Sequence, residues 1–216
     1  MKIELIVFDF DGTLVDTRKD LAEAMNFALK ETGLSPISEE KVWRYTGDGT
    51  PLLVQRVLKE KGRIDLTEKL TELFLSYYEE HYADYATPIK GAKETLERLS
   101  GRGKKMAVLS NKYERFVVKL LKKFGTAKYF FAVYGKDSFE KSKPDPYPLF
   151  KIISDANAKK EETAFVGDSK NDVLIAKNAG VACFIIPSGA TPISELKKLG
   201  PFVLLNGIEE LEKYIE

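Results

Sequence analysis

Two aspartates with one residue between them follow the first apolar run of the sequence. Asp9 and Asp11 come directly after residues 3–8, and Gly12 comes next. On an extended backbone, side chains two residues apart project to the same side. Repulsion between the carboxylates would raise the pKa of one of them unless a cation lay between them. The pair therefore indicates either a site for Mg²⁺, which prefers oxygen ligands, or an ordinary turn of Asp and Gly.

A second acidic pair follows a later apolar run. Gly167 and Asp168 come directly after residues 163–166, and Asp172 stands four positions after Asp168. Four positions correspond to about one helical turn, so both carboxylates can face one side of a helix that begins there. Four acidic groups from two such places suit a metal site better than a structural core.

Three further polar groups stand at comparable points of the sequence. Ser110 and Asn111 follow residues 105–109 and precede a segment of helical period, where they either cap that helix or bind an anion. Lys143 lies in a segment with two prolines, residues 143–146, which can hold its ammonium in a fixed place. A solvated surface lysine is the alternative. Joined to the four acids, these groups predict a site for Mg²⁺ and a phosphate.

The elements that carry these side chains predict an α/β fold. Short runs rich in Val, Ile and Phe alternate with segments of helical period, which is typical of a Rossmann-like parallel sheet with helices on both faces. The carboxyl ends of parallel strands meet at one edge, where such sheets bind ligands. The predicted strands are residues 3–8, 105–109, 131–134, 163–166, 182–186 and 202–205, and the predicted helices are residues 92–99, 114–124, 146–156, 171–178, 193–199 and 208–214.

One long region breaks this alternation. Apolar residues between positions 17 and 87 recur only with helical period, most clearly over residues 21–29 and 66–81. We therefore expect an inserted α-helical cap over residues 17–87 and a catalytic α/β core made of residues 1–16 and 88–216.

The first helix of the insert carries start and stop signals. Thr17 and Asp20 have the spacing of a capping box, in which each side chain binds a backbone N–H of the first turn. Gly33 is placed to end the helix, because glycine readily adopts the left-handed conformation found there.

Composition excludes several classes of partner. The 34 Lys and Arg residues nearly balance the 33 Asp and Glu residues, so no long-range positive field attracts nucleic acid or an anionic membrane. The apolar run at residues 3–8 is too short to span a membrane or to form a signal-peptide core. One cysteine, Cys183, cannot form an internal disulfide, which favours a reducing compartment. We expect a cytoplasmic protein, either a monomer or a homodimer, with a small-molecule substrate.

The ordered motifs resemble those of a known superfamily. Asp9-x-Asp11-Gly12-Thr13, Ser110-Asn111, Lys143-Pro144 and Gly167-Asp168-x-x-x-Asp172 are similar, in this order, to the four motifs of the haloacid dehalogenase-like hydrolases. The resemblance extends over nearly the whole chain. The insert is similar to the cap of the branch that holds phosphoglycolate phosphatases and β-phosphoglucomutases. Residues 11–17 and 46–49 most resemble the phosphoglycolate phosphatases, which implies Mg²⁺-dependent hydrolysis of a small phosphate monoester, with 2-phosphoglycolate as the leading substrate.

The resemblance also implies a role for each residue. Asp9 is expected to attack phosphorus and become an aspartyl-phosphate, while Asp11 protonates the leaving oxygen and then activates water. Lys143 would neutralise charge on the transferred group. The expected phosphate ligands are Thr13, Ser110 and Asn111, the expected Mg²⁺ ligands are Asp9, Asp11, Asp168 and Asp172, and the expected specificity residues of the cap are Arg44, Gly47, Asp48 and Gly49.

Some of these roles have simpler alternatives. Asp172 would act either as an outer metal ligand or as an orienting partner, and Thr13 would bind phosphate or help to position Asp11. Gly47 and Gly49 would mark only a loop between two helices of the cap.

Other functions remain open on the sequence. A phosphomutase of the β-phosphoglucomutase type shares the core residues but carries a His in the cap where this chain has Leu21, and the only histidine here is His81. An inorganic pyrophosphatase is a further candidate. A phosphate-responsive, receiver-like binding module is a different class, which the cap and Asp11 disfavour. We expect His81 to be a packing residue and Cys183 to be a small apolar residue in a strand.

Overall fold

A parallel sheet of six strands is the central element of the α/β fold in the computed structural model, which describes residues 2–215. In chain order, the strands of the described residues are β1 (Leu5–Phe8), β2 (Val15–Asp16), β3 (Thr87–Pro88), β4 (Lys105–Leu109), β5 (Ala132–Tyr134), β6 (Thr163–Gly167), β7 (Ala182–Ile185) and β8 (Val203–Leu204). Two of them, β2 and β3, lie outside the six-stranded sheet. The order across the sheet is β5-β4-β1-β6-β7-β8, and each neighbouring pair is parallel. The predicted fold class is confirmed.

Helices connect the strands. They are α1 (Arg18–Glu31), α2 (Glu39–Tyr45), α3 (Thr50–Glu60), α4 (Thr67–His81), α5 (Ala92–Gly101), α6 (Glu114–Lys123), α7 (Tyr147–Asp155), α8 (Lys170–Ala179) and α9 (Ile193–Leu196), with short 3₁₀ segments at Ile64–Leu66, Ala127–Tyr129, Lys160–Glu162 and Ile208–Lys213. Among residues 2–215, no helix is both long enough and apolar enough to cross a bilayer.

Two predicted helices near the carboxyl terminus differ from the structure. The segment at 193–199 forms only the single α-helical turn α9, and the segment at 208–214 is a 3₁₀ helix over Ile208–Lys213. After Lys197 the bonding changes, because the N–H groups of Lys198 and Leu199 donate to carbonyls three residues back rather than four, and the N–H of Tyr214 does the same to the Leu211 carbonyl. This tighter winding suits short connections, which apolar periodicity cannot distinguish from an α-helix.

The core explains why the strands are so apolar. All four residues of β1 are fully buried, because helices cover both faces of the sheet. Leu5 and Val7 belong to a buried cluster that includes Leu149 and Ile152 of α7. Phe8, one residue further on and therefore on the opposite face, makes an edge contact with Phe130.

The register of the sheet brings the ends of three strands to one level. Phe8 is paired with Val108 of β4 and with Val166 of β6. The N–H of Asp9 continues the ladder by donating to the Val166 carbonyl at 2.8 Å. The polar residues that follow β1, β4 and β6 therefore leave the sheet at the same edge, as the sequence predicted.

The chain divides into two compact units. One comprises Met1–Val15 and Pro88–Glu216, and the other, the inserted unit, comprises Asp16–Thr87. The strands β2 and β3, where the chain passes from one unit to the other, form a separate two-stranded sheet. The inserted unit contains α1 to α4, and Phe27 of α1 stacks on Tyr77 of α4 with ring centroids 4.5 Å apart.

The predicted capping box at the start of α1 is wrong. The Thr17 side chain makes no capping hydrogen bond. The buried Asp20 carboxylate instead accepts the backbone N–H of Tyr85 at 2.9 Å, a contact 65 residues away in the sequence. Gly33, just beyond the end of α1, does adopt a left-handed conformation with φ of 72°.

Candidate active site

Four charged side chains meet where β1 and β6 end. The Lys143 Nζ lies 2.7 Å from Asp9 Oδ1 and 2.8 Å from Asp172 Oδ1. Carboxylate oxygens of Asp9, Asp168 and Asp172 all lie within 4.8 Å of one another. Only 1% of the Lys143 side chain is exposed, so this residue is a buried counter-ion and the surface-lysine interpretation is excluded.

The cluster carries more negative than positive charge. Three carboxylates face one ammonium, which leaves two negative charges uncancelled when every group is ionised. Burial, with added repulsion from Asp172, raises the pKa of Asp9 to about 7 despite the attraction of Lys143. Burial and the same repulsion from Asp172 also raise the pKa of Asp168 well above its usual range. The repelling neighbour is thus Asp172 rather than Asp11, which the sequence had suggested.

This charge distribution fits a divalent cation. The donor set consists of carboxylate oxygens, which Mg²⁺ prefers, and its two uncancelled negative charges match the two positive charges of the ion. A cation among these oxygens would favour the ionised carboxylates and oppose the rise in their pKa values.

Lys143 keeps its charge in this setting. Burial alone would lower the pKa of its ammonium, but the carboxylates of Asp172 and Asp9 raise the pKa above its ordinary value. The lysine is therefore a permanent positive charge beside the Asp9 carboxylate.

Asp172 is held rigidly at the start of α8. Its Oδ2 accepts the N–H of Asp168 at 3.1 Å, the N–H of Ser169 at 2.9 Å and the hydroxyl of Ser169 at 2.7 Å. A Cβ on Gly167 would lie 2.3 Å from Asp172 Cγ, so the turn needs glycine there. Since Oδ1 contacts Lys143, both oxygens have protein partners, which supports an orienting role for Asp172.

The loop after β7 packs against Asp168, which sequence reasoning missed. A Cβ on Gly189 would lie 2.1 Å from the Asp168 carbonyl oxygen and 2.7 Å from its Oδ2. The neighbouring Ser188 hydroxyl donates to the Gly12 carbonyl. The Thr13 hydroxyl donates to Asp168 Oδ1 at 3.2 Å, so Thr13 is directed at the acidic cluster. The sequence around Ser188 carries no motif that could have revealed these contacts.

Ser110 and Asn111 do not cap the helix that follows. The residue before α6 is Tyr113, and Ser110 Oγ accepts the N–H of Lys112 at 3.2 Å instead. The Asn111 amide donates to the Lys143 carbonyl at 3.0 Å. Asn111 therefore helps to position the segment that carries the buried lysine.

A second buried ion pair involves a residue that sequence reasoning also missed. Lys112 Nζ lies 3.0 Å and 3.4 Å from the two carboxylate oxygens of Asp11. The exposed fractions of the two side chains are 7% and 14%. The only available signal was the position of Lys112 directly after Ser110-Asn111, and a lysine alone does not reveal its partner. Asp11 is thus in contact with a cation, but a different one from that of Asp9.

The proposed specificity residues lie in one stretch of the inserted unit. Gly47 and Gly49 lie between α2 and α3 and have φ of 109° and 87°, in the region that favours glycine. Asp48, between them, forms an ion pair with Arg56, whose guanidinium also donates to the Tyr45 carbonyl. No local pattern around Asp48 pointed to this partner.

Arg44 is exposed on α2 and pairs with Glu40, one turn earlier.

Two conspicuous residues have the structural roles predicted for them. His81 stacks on Tyr77 with ring centroids 4.2 Å apart, and its Nδ1 lies 2.8 Å from an Asp84 carboxylate oxygen. Cys183 is buried in β7, and burial raises the pKa of its thiol.

The raised pKa of Asp9 leads to a prediction about metal binding. At pH 5.5 this carboxyl is mostly protonated in the metal-free protein, and at pH 8 it is mostly ionised. Because Mg²⁺ requires the ionised form, we expect the ion to raise the melting temperature by several degrees at pH 8 and much less at pH 5.5. Thermal melts without Mg²⁺ and with Mg²⁺ at roughly 10 mM, about 100-fold above the dissociation constant of a site of moderate affinity, would measure this difference.

The melts without Mg²⁺ give the baseline for this comparison, and that baseline itself depends on pH. In the metal-free protein, the raised pKa of Asp9 favours folding below the usual carboxyl range, and this contribution is lost as pH rises towards about 7. An Mg²⁺ effect that was equal at both pH values would contradict binding to these carboxylates.

Comparison with known proteins gives a consistent result. The family model for haloacid dehalogenase-like hydrolases matches residues 6–186. The phosphoglycolate phosphatase of Vibrio parahaemolyticus is 39% identical over 97% of this chain and 94% of its own length. The phosphoglycolate phosphatase of Aquifex aeolicus is 37% identical over 82% of each chain.

Solved structures show the same similarity. The crystal structure of "a predicted phosphoglycolate phosphatase" from Haemophilus somnus superposes with a TM-score of 0.92 and 31% identity, covering 99% of this chain and 98% of that one.

Proposed function

Because the chain belongs to the haloacid dehalogenase-like hydrolase family and is a phosphatase, we propose that it hydrolyses 2-phosphoglycolate through an aspartyl-phosphate on Asp9. The observation that carries the proposal is the buried contact of Asp9 with Lys143, at the sheet edge where Asp168 and Asp172 also lie. The relatives named for 2-phosphoglycolate hydrolysis support the choice of substrate.

Asp9 is the proposed nucleophile. Its Oδ1 accepts the N–H of Phe10 at 2.7 Å and contacts Lys143 Nζ at the same distance, so these two contacts fix the carboxylate through one oxygen. We assign the attack on phosphorus to the other oxygen, Oδ2. A carboxylate held in one orientation reduces the entropy lost in reaching an in-line attack.

Lys143 and the residues after β4 stabilise the transferred group. The ammonium beside Asp9 reduces the repulsion between a carboxylate and a phosphate. Ser110 and the backbone N–H of Asn111 are the proposed ligands of the phosphoryl oxygens, with Thr13 as a further hydroxyl. Desolvation strengthens these contacts, because Thr13, Ser110 and Asn111 are all buried.

Mg²⁺ is the proposed cofactor. Asp9 and Asp168 would hold it through carboxylates and Asp11 through its backbone carbonyl, with Asp172 as an orienting partner. The ion would supply positive charge that offsets the charge of the phosphate and of the acidic cluster.

Asp11 is the proposed general acid and base. As the bond between phosphorus and the ester oxygen breaks, Asp11 gives its proton to that oxygen, and glycolate leaves. Asp11 then takes a proton from the water that attacks the aspartyl-phosphate. That second step restores the Asp9 carboxylate and releases inorganic phosphate.

The inserted unit is the proposed cap. We propose that Arg44, Gly47, Asp48 and Gly49 contact the part of the substrate to which the phosphate is attached. Small phosphorylated metabolites are the proposed substrate class, and the cytoplasm is the proposed location, which the single buried thiol of Cys183 supports.

A substrate panel tests this function. We expect kcat/KM for 2-phosphoglycolate to exceed that for sugar phosphates, pyrophosphate and p-nitrophenyl phosphate by at least about tenfold, the difference that 1.4 kcal/mol of transition-state binding gives. Preferential release of phosphate from pyrophosphate, or conversion of β-glucose 1-phosphate to glucose 6-phosphate, would reject the proposal in favour of a pyrophosphatase or a mutase.

A further inference from the structure

Lys112, which forms an ion pair with Asp11, has no role in the mechanism proposed so far. The ammonium contacts both oxygens of the Asp11 carboxylate, and the side chain is almost completely buried. Burying an ammonium is costly, and an ion pair seldom returns more than that cost in stability. The position of this lysine therefore calls for a reason other than folding.

The backbone that carries Lys112 is firmly held. Its N–H donates to Ser110 Oγ at 3.2 Å, and its carbonyl accepts the N–H of Lys136 at 2.9 Å. A Cβ on Gly135 would lie 2.6 Å from that carbonyl oxygen, which shows how closely the segment after β5 packs there. A fixed backbone gives the lysine side chain a defined origin from which it reaches Asp11.

The distance from Asp11 places the ammonium near the leaving group. A general acid must come within about 2.6–3.2 Å of the oxygen that it protonates. Since Lys112 Nζ lies 3.0 Å from Asp11 Oδ1, the ammonium can be no more than about 6 Å from the ester oxygen of a bound substrate. A substrate that turns a carboxylate on the adjoining carbon towards Lys112 can therefore bring that carboxylate into contact with the ammonium.

The two buried lysines contact different carboxylates. Lys143 lies between Asp9 and Asp172, on the side of the nucleophile. Lys112 contacts Asp11, the residue to which protonation of the departing oxygen is assigned. A contact between an ammonium and a substrate carboxylate is stronger than one between neutral groups, and shelter from water strengthens it further.

We infer that Lys112 is a specificity-determining residue that binds a carboxylate of the leaving group, so that the preferred substrates are phosphate monoesters of small hydroxy acids. This inference rests on the proposed function, because it needs Asp11 to act at the ester oxygen. It assigns the recognition of the acid part of the substrate to the α/β unit, in addition to any contribution of the inserted unit.

Matched ester pairs test the inference. One pair is 2-phosphoglycolate and ethyl phosphate, and the other is 2-phospholactate and isopropyl phosphate, so that in both pairs a methyl group replaces a carboxylate on the carbon bonded to the ester oxygen. We expect the wild type to prefer the carboxylate-bearing member of each pair, and Lys112→Met to reduce that preference by roughly ten- to a hundredfold, with most of the effect in KM. Lys112→Arg should restore part of the preference, and Lys122→Met, which removes an exposed lysine of α6, should leave it unchanged.

The readout is the ratio within a pair, because a lysine that merely holds Asp11 in place would lower both rates and leave the ratio intact. An unchanged ratio in Lys112→Met, or no preference in the wild type, would overturn the inference. If Lys112→Met had no measurable turnover, calorimetric affinities for 2-phosphoglycolate and ethyl phosphate in the Asp9→Asn background, with and without Lys112→Met, would give the same ratio. Failure of 2-phosphoglycolate alone, with the preference for 2-phospholactate over isopropyl phosphate lost in Lys112→Met, would reject the proposed substrate and keep the inference.

Discussion

Replacing Asp9 with Asn is expected to lower kcat on every phosphate ester by at least about 10⁴-fold, because an amide cannot form the acyl phosphate on which turnover depends. The exchange keeps the size of the side chain and an oxygen that can accept the N–H of Phe10. Phosphate release under saturating substrate measures the loss. Residual activity above a few per cent of the wild type would remove Asp9 from the nucleophilic role.

Two comparisons show that the loss is chemical. Asp155→Asn alters an exposed carboxylate of the same unit and should leave kcat unchanged. The melting temperature of Asp9→Asn without Mg²⁺ should stay within a few degrees of the wild type, since a carboxyl whose pKa is raised to about 7 gains little from being ionised. Unfolding of Asp9→Asn under assay conditions would mean that the activity loss does not report on the nucleophile.

Replacing Lys143 with Met should damage both activity and stability. The variant leaves Asp9, Asp168 and Asp172 without the ammonium that contacts two of them. Removing one partner of a buried charge cluster typically costs about 3–5 kcal/mol of unfolding free energy, and we expect a loss of this size at pH 8 without metal. Denaturant unfolding measures it, and kcat should fall by roughly 10³-fold as one electrostatic contact to the transition state is lost.

The stability loss in Lys143→Met should depend on pH. The pKa of Asp9 is raised to about 7, so at pH 5 this carboxyl is mostly protonated and needs no counter-ion, and the raised pKa of Asp168 acts in the same direction. The destabilisation should therefore be small at pH 5 and grow as pH rises through about 7. Lys122→Met provides a control for loss of a lysine without loss of a buried contact. A destabilisation of Lys143→Met that was the same at pH 5 and pH 8 would indicate lost packing rather than uncompensated charge.

The parts of the site that sequence could predict are those tied to strand ends. Asp9 and Asp168 follow buried apolar runs, and a parallel sheet brings such ends to one edge. The order of the motifs therefore sufficed to predict that the acids after β1 and β6 would meet, although the carboxylate of Asp11, expected in the same cluster, pairs with Lys112 instead. Lys143 does not follow a strand. It was identified from the neighbouring prolines and from its occurrence together with the acids, which outweighed the alternative of a solvated surface lysine.

The contacts that sequence could not predict depend on tertiary packing. Lys112 pairs with Asp11 across 101 positions, and Asp20 accepts a backbone N–H across 65 positions. Local spacing favours a capping box at Thr17 and says nothing about Lys112, and only the folded chain shows which distant residues contact Asp20 and Lys112. The 3₁₀ winding of residues 208–213 was missed for a related reason, since short apolar segments fit either kind of helix.

Gly189 illustrates a requirement that a search for reactive groups overlooks. This residue contributes no side chain, yet the main chain there lies so close to Asp168 that even one methyl group would collide with it. Position 189 must therefore lack a side chain so that the loop can lie against Asp168. The main chain of the loop after β7 thus limits the space around a carboxylate that belongs to another motif. At this point the shape of the site depends on backbone packing and not on a reactive side chain.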